Sequence, residues 1–186
     1  MSKSISHIFG GEAKVKIMRL FIFNSGMNFT LAKVADRVKE KLVTARREVH
    51  ILAKAGLVKG RSQGFALDSS YPHLQAIENF LVDVAPITSK EIISKISRVG
   101  NIKLVLISGV FLHDRDSRVD IFIVGDHIKQ AKLRHAISSI EAVLGKELRY
   151  AAFETIDFRY RLSIYDKLIR DILDYPHEKI LNKLGI

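Results

Sequence analysis

The sequence predicts an α+β protein, and three observations carry this prediction. In the first half of the chain, apolar residues recur at helical spacing. From Lys103 onward, continuous apolar runs alternate with helical segments, which is typical of a small α/β layer with a mixed sheet. Positive charge is concentrated near the N-terminus. We therefore expect one domain over residues 1–70, a helical connector over 71–100 and a second domain over 101–186.

The composition narrows the classes of protein to consider. Of the 186 residues, 47% are hydrophobic and 27% are charged, as in ordinary globular proteins. Cysteine is absent, which excludes a disulfide framework and a Cys-based zinc site and suits a reducing compartment. The sequence contains no apolar run of membrane-spanning length and no signal-peptide pattern. We expect a soluble, cytoplasmic protein with no membrane partner.

Three helices are predicted in the first third of the chain. The first, over residues 13–24, supplies core side chains and leaves Arg19 facing solvent or phosphate. The second begins after Thr30, whose hydroxyl can cap it, and the third spans residues 43–55 and stops before Gly56. The last two, joined by a tight turn, form a helix-turn-helix. The outer face of the third helix carries Thr44, Arg46, Arg47, His50 and Lys54.

A short basic loop follows this helix, between predicted strands at residues 57–58 and 65–67. Together these features, over roughly residues 10–70, resemble the winged-helix transcription regulators. In that family the second helix of the motif enters the major groove of DNA, and the loop, called the wing, touches the backbone. Base contacts would then come from Thr44, Arg46, Arg47 and His50, since arginine can grip guanine with two hydrogen bonds. Phosphate contacts would come from Lys39, Lys41, Lys59, Arg61 and Gln63.

A plain helical hairpin with a solvated basic face would show the same periodicity, and the charge distribution decides between the two. The net charge is +10, and residues 1–68 contain 13 Lys and Arg against 5 Asp and Glu. The rest of the chain contains 17 against 15. Binding to a phosphate backbone requires such an asymmetry, whereas solvation alone does not. We expect double-stranded DNA as the partner, bound by a two-fold homodimer because a single winged helix buries little surface.

The middle and the C-terminal half divide into further elements. Residues 68–72 break the helical pattern, and helices are predicted over 73–85, ended by Pro86, and from Thr88 to Gly100. The sequence does not show whether this connector joins the two domains or pairs with another chain. Strands are predicted over 103–108, 118–125 and 147–154, helices over 129–144 and from Thr155 to Tyr175, and a closing turn over 180–184.

The segment over residues 107–124 resembles the minimal nucleotidyltransferases, which are related to polymerase-beta-type enzymes. That family has a Gly-Ser turn after one strand and an Asp-x-Asp pair on the next, whose carboxylates hold magnesium ions. Here the turn is transposed as Ser108-Gly109, Arg118 replaces the first acid, and only Asp120 remains. We therefore expect a vestigial site in which Arg118 pairs with Asp120, with no catalytic residue, metal or cofactor.

Two other functions remain open at this point. One is an active nucleotidyltransferase with an unusual acid set, whose helix-turn-helix selects a nucleic-acid substrate. The other is a binding module whose C-terminal half recruits another protein. The sequence also leaves open whether a small-molecule effector binds the C-terminal half. A metal site at His113, Asp114, Asp116 and Asp120 is not expected, because three of these residues lie on a loop that is usually solvated.

Overall fold

A computed structural model of the chain describes residues 3–83, 87–112, 114 and 116–186, and these residues form an α+β fold. Two compact units are present, one made of residues 1–88 and 138–147 and the other of residues 89–137 and 148–186. The predicted connector therefore has residues in both units. The predicted helix end at residues 84–86 and the predicted loop residue His113 lie outside the described residues.

The first unit begins with four helices: α1 (Lys3–Ile8), α2 (Glu12–Ile22), α3 (Leu31–Val38) and α4 (Leu42–Lys54). The last three confirm the predicted helices, whereas the sequence pattern did not predict α1. As expected, Thr30 caps α3, since its hydroxyl accepts the N–H of Lys33 at 3.2 Å. Lys39 ends α3 in the left-handed region at φ 55°, so that the turn to α4 is short.

Helices α2, α3 and α4 enclose the core of the first unit, and α5 (Leu74–Asp83) adds Leu81 to it. The rings of Phe21 and Phe29 meet edge to face in this core, with their centroids 5.6 Å apart. One expectation is wrong here: Arg19 does not face solvent but is only 3% exposed. Burial penalises its charged form and lowers the pKa of Arg19 to about 10.

A β-hairpin follows α4, with β1 (Val58–Arg61) antiparallel to β2 (Gly64–Leu67). Phe29 and Phe65 exchange two backbone hydrogen bonds of 2.9 Å, which join the hairpin to the residues before α3. Gly64 has φ +126°, and the backbone of Phe29 occupies the place of any Cβ there. Only glycine fits this position, so the hairpin is fixed against the helices.

The second unit is built on a mixed sheet with strand order β5-β4-β3-β6. Its strands are β3 (Asn101–Ile107), β4 (Ile121–Asp126), β5 (Tyr150–Glu154) and β6 (Glu178–Asn182). Strand β3 is antiparallel to β4 and β6, and β4 is parallel to β5. Consecutive residues of β3 and β4 are buried, so both faces of these central strands are covered. This burial explains their continuous apolar sequences.

Four helices accompany this sheet: α6 (Ser89–Ile96), α7 (Gln130–Leu144), α8 (Thr155–Ser163) and α9 (Lys167–Asp174). Phe158 of α8 and Ile169 and Ile172 of α9 join the core of the second unit. Asp166 caps α9 by accepting the N–H groups of the two residues after Lys167, at 2.9 and 3.2 Å. Helix α7 begins in the second unit, and its residues from 138 onward belong to the first.

The predictions for the last part of this unit are wrong at two elements. The expected closing turn over residues 180–184 overlaps strand β6, in which Leu181 lies opposite Val105 of β3. The expected single helical region from Thr155 is two helices, separated at residues 164–166. In the described part of the chain, no helix has the length and apolarity needed to cross a membrane.

Candidate nucleic-acid interface

Helix α4 turns Ala45, Val49 and Leu52 into the core and presents its opposite face to solvent. The exposed side chains of this helix are Leu42, Val43, Arg46, Arg47, His50, Ile51 and Lys54. Thr44 is half-buried at the edge of this face. Val43 is 80% exposed, although it was not among the residues predicted for this face. The spacing of the buried residues would have identified it, since Val43 lies opposite them on the helix.

The two adjacent arginines of this face are held differently. Among the described residues, Arg46 has no carboxylate within ion-pair distance. Arg47 donates from Nε to Oε1 of Glu48 at 2.9 Å, and its Nη2 lies 2.8 Å from the same oxygen. The Glu48 side chain is nearly buried, and Lys14 Nζ lies 3.6 Å from its other oxygen. Arg47 therefore balances a buried charge of the fold, whereas Arg46 is available to a ligand.

His50, on α4, contacts the hairpin. Its Nδ1 donates to the backbone carbonyl of Arg46 at 2.7 Å, and its ring meets that of Phe65 edge to face at 5.9 Å. In the neutral ring this bond leaves Nε2 as a hydrogen-bond acceptor. The ring of His50 is thus oriented by both elements, with one nitrogen available for a donor such as a base amino group.

The N-terminus of α4 has features that suit an anion. Lys41 is its N-cap residue, no side chain caps the helix there, and the first turn contains no acid. The first backbone N–H groups of a helix carry partial positive charge and can bind phosphate. The neighbouring Lys39 is partly neutralised, since its Nζ lies 3.0 Å from Asp36 Oδ1.

The two cations of the hairpin, Lys59 and Arg61, differ in their partners. Lys59 Nζ lies 2.7 Å from Asp68 Oδ2, while Asp68 Oδ1 accepts the N–H and the hydroxyl of Ser70. The hydrogen bonds from Lys59 and then Ser70 lower the pKa of Asp68 to about 2. Arg61 and Gln63 are exposed at the tip, and neither has a side-chain partner among the described residues.

The second unit contains the residues of the predicted vestigial nucleotidyltransferase site. Asp120 is 4% exposed, and its carboxylate accepts the backbone N–H groups of Val110 at 2.9 Å and Arg149 at 2.8 Å. The guanidinium of Arg149 adds an ion pair at 3.4 Å. Gly109 has φ +55°, and any Cβ there would overlap Asp120 Oδ1. The turn and the acid are therefore packed directly against each other.

Arg118 does not pair with Asp120, so that expectation is wrong. Its Nε donates instead to Oδ2 of Asp171 on α9, at 3.2 Å. The predicted strand over 118–125 begins only at Ile121, so the alternation that would place residues 118 and 120 on one face does not apply. The two side chains consequently have separate partners.

Two serine hydroxyls contact the backbone carbonyl of Val119, two residues before β4. Ser108 is buried, and its hydroxyl donates to the carbonyl of Val119. The hydroxyl oxygen of Ser117 lies 2.7 Å from the same carbonyl and 3.0 Å from the Ser108 oxygen, either of which can accept its single proton. Side-chain bonds of this kind compete with a β-ladder, which explains why β4 starts late.

A further carboxylate of the second unit, that of Glu154, also has a structural role. Glu154, at the end of β5, accepts the backbone N–H groups of His127 at 3.1 Å and Ile128 at 3.2 Å. Within the described residues, no three side chains of the His, Asp or Glu type converge on a site that could hold a metal ion.

No protein-family model matches the chain, and neither does any curated protein or solved structure. Its function is therefore inferred from its own residues.

Proposed function

We propose that the protein is a DNA-binding transcription regulator whose first unit is a winged helix. Helices α3 and α4 form the helix-turn-helix, α4 enters the major groove, and the hairpin over residues 58–67 is the wing. The observation that carries this proposal is the exposed cationic surface of α4 and the hairpin tip. Its cations Arg46, Lys54 and Arg61 have no acidic partner among the described residues. Such cations can release counterions from a phosphate backbone.

The contacts divide into base readout and positioning. Arg46, with Arg47, Thr44 and His50, would contact base edges, since a guanidinium matches the two acceptors of guanine and a histidine nitrogen can accept from an amino group. The uncapped N-terminus of α4 supports phosphate binding beside it. The residues assigned to phosphates are Lys39, Lys41, Lys59, Arg61 and Gln63.

The second unit, in this proposal, is a non-catalytic scaffold that acts without metal or cofactor. Nucleotidyl transfer needs carboxylates free to hold metal ions against the reacting phosphate. Asp120 already accepts two backbone N–H groups and faces a guanidinium, and Glu154 accepts two more N–H groups. This unit would instead support a homodimer on a palindromic site in the cytoplasm. Exposed apolar side chains that suit such a contact are Ile156, Tyr160, Ile164 and Tyr165.

The test starts with selection of bound sequences from a random duplex library by the full-length protein. Affinity for the selected duplex is then measured over a series of salt concentrations. If five phosphates are contacted, the logarithmic slope should be about −4 to −5. The double variant Arg46→Gln/Arg61→Gln should bind weakly and show a shallower slope.

The matched control removes two exposed cations from the second unit, as Lys132→Gln/Arg134→Gln. The control should bind the selected duplex as the unmodified protein does. Salt-independent binding, or an equal loss of affinity in the two double variants, would contradict the proposal.

A further inference from the structure

The outer face of α4 includes one apolar side chain that is almost fully exposed. Val43 is 80% exposed and lies in the first turn of the helix. Arg46 and Arg47 follow it by three and four residues and His50 by seven, so all lie on the same side of the helix. A cationic surface that would face the bases thus carries an aliphatic group near its N-terminal end.

A valine side chain neither donates nor accepts a hydrogen bond, so it cannot read the polar edge of a base. In the major groove, the base edges present one apolar group, the 5-methyl group of thymine. We propose that Val43 is a specificity-determining residue that packs against the 5-methyl group of a thymine. This inference rests on the proposed function, since it requires α4 to lie in the major groove.

Two other apolar residues of α4 are less suited to this role. Leu42 is 48% exposed and Ile51 42% exposed, so each is partly covered by the protein. Val43 lies two turns before His50, on the line opposite the buried residues. Valine is also a weaker helix former than alanine, so helix stability does not account for it at this exposed position.

The experiment uses the full-length protein and its selected duplex. Each thymine of the duplex is replaced in turn by deoxyuridine, which removes the methyl group and keeps the base-pairing groups. At one thymine, or at its two symmetry-related copies, the unmodified protein should lose affinity by about fourfold, the value expected for one buried methyl group. Val43→Ala should bind the thymine and uracil duplexes equally.

The matched control is Ile51→Ala, which shortens an exposed apolar residue at the edge of the same helix face. It should keep the full preference for thymine over uracil. Circular dichroism and thermal unfolding of both variants would establish that the fold is kept.

The outcomes separate this inference from the proposed function. If duplex binding is salt-dependent but no thymine is sensitive to loss of its methyl group, the role of Val43 is refuted and DNA binding stands. The role is also refuted if Val43→Ala keeps the preference for thymine. If the protein binds no duplex at all, the proposed function is refuted, and this inference with it.

Discussion

Charged groups are held in opposite ways in the two units. Arg46 on α4 is exposed and has no acidic partner among the described residues. Asp120 in the second unit is 4% exposed and accepts hydrogen bonds from two backbone N–H groups, with the guanidinium of Arg149 beside it. A buried, fully bonded carboxylate is part of the fold, whereas an unpaired exposed cation can bind a ligand. The role of a charged side chain therefore depends on the partners that the fold places around it more than on its residue type.

The largest expected effect is at Asp120, the buried charge. Asp120→Asn should lower the free energy of unfolding by about 2–4 kcal/mol, because a neutral amide replaces a buried carboxylate that accepts two backbone N–H groups and pairs with a cation. Urea denaturation would measure the loss. The control Asp116→Asn changes an exposed acid of the same loop and should stay within about 0.5 kcal/mol.

The opposite result has two parts. The unmodified protein would transfer a labelled nucleotide, and Asp120→Asn would lose this activity while keeping its stability. In that case Asp120 would be a working catalytic acid. The protein would then be an enzyme that uses an unusual acid set.

A smaller effect is expected at Arg46, the exposed charge. Arg46→Ala should weaken binding to the preferred duplex by about 1–3 kcal/mol and flatten discrimination at one base pair. Arg61→Ala in the hairpin should weaken all duplexes by a similar, smaller factor, since phosphate contacts carry no sequence information. Affinities for the preferred duplex and its single-base variants would show both effects.

Arg47→Ala is the less informative variant, because among the described residues it leaves the buried carboxylate of Glu48 with Lys14 as its one ion-pair partner, at 3.6 Å. It should therefore lower stability as well as affinity. A change of preferred sequence in Arg61→Ala, with unchanged preference in Arg46→Ala, would reverse the assigned roles of helix and hairpin.

The smallest effect is expected in the hairpin, where Lys59 pairs with Asp68 as Arg149 pairs with Asp120 in the second unit. Lys59 and Ser70 lower the pKa of Asp68 to about 2. Because this folded-state pKa lies below the unfolded value, the stabilising contribution is complete above about pH 4 and is lost as the pH falls through about 2. Lys59→Ala should raise the pKa of Asp68 toward its ordinary value, as a carboxyl titration by NMR would show. An unchanged pKa of Asp68 would mean that Lys59 does not pair with this carboxylate, so that its charge is available to a phosphate.

Local patterns were enough to predict most of the first unit. The cap at Thr30, the stop at Gly56 and the apolar spacing of α4 depend on residues within a few positions of one another. Such signals are present in the sequence itself. The exposed face of α4 follows directly from them, although Val43 was not predicted as part of it.

Contacts between distant residues account for what was missed. Arg118 and Asp120 look like neighbours on a strand, but Asp171 and Arg149 take them as partners from far along the chain. Strand β6 was also missed, because an edge strand with mostly exposed side chains has no distinct apolar pattern. Likewise, nothing in the basic pattern of α2 indicated the burial of Arg19.

The first unit is completed by a segment that is synthesised late. The side chain of Asn24 donates to the carbonyl of Gly145 at 2.6 Å, Arg37 pairs with Glu147, and the missing side chain of Gly145 leaves room for the backbone of Arg19. During translation, α2 to α4 leave the ribosome well before these partners exist, although domains generally fold from the N-terminus first. Helices α2 and α3 therefore acquire these contacts only when residues 138–147 emerge, and a nascent chain stopped earlier would lack part of the first unit.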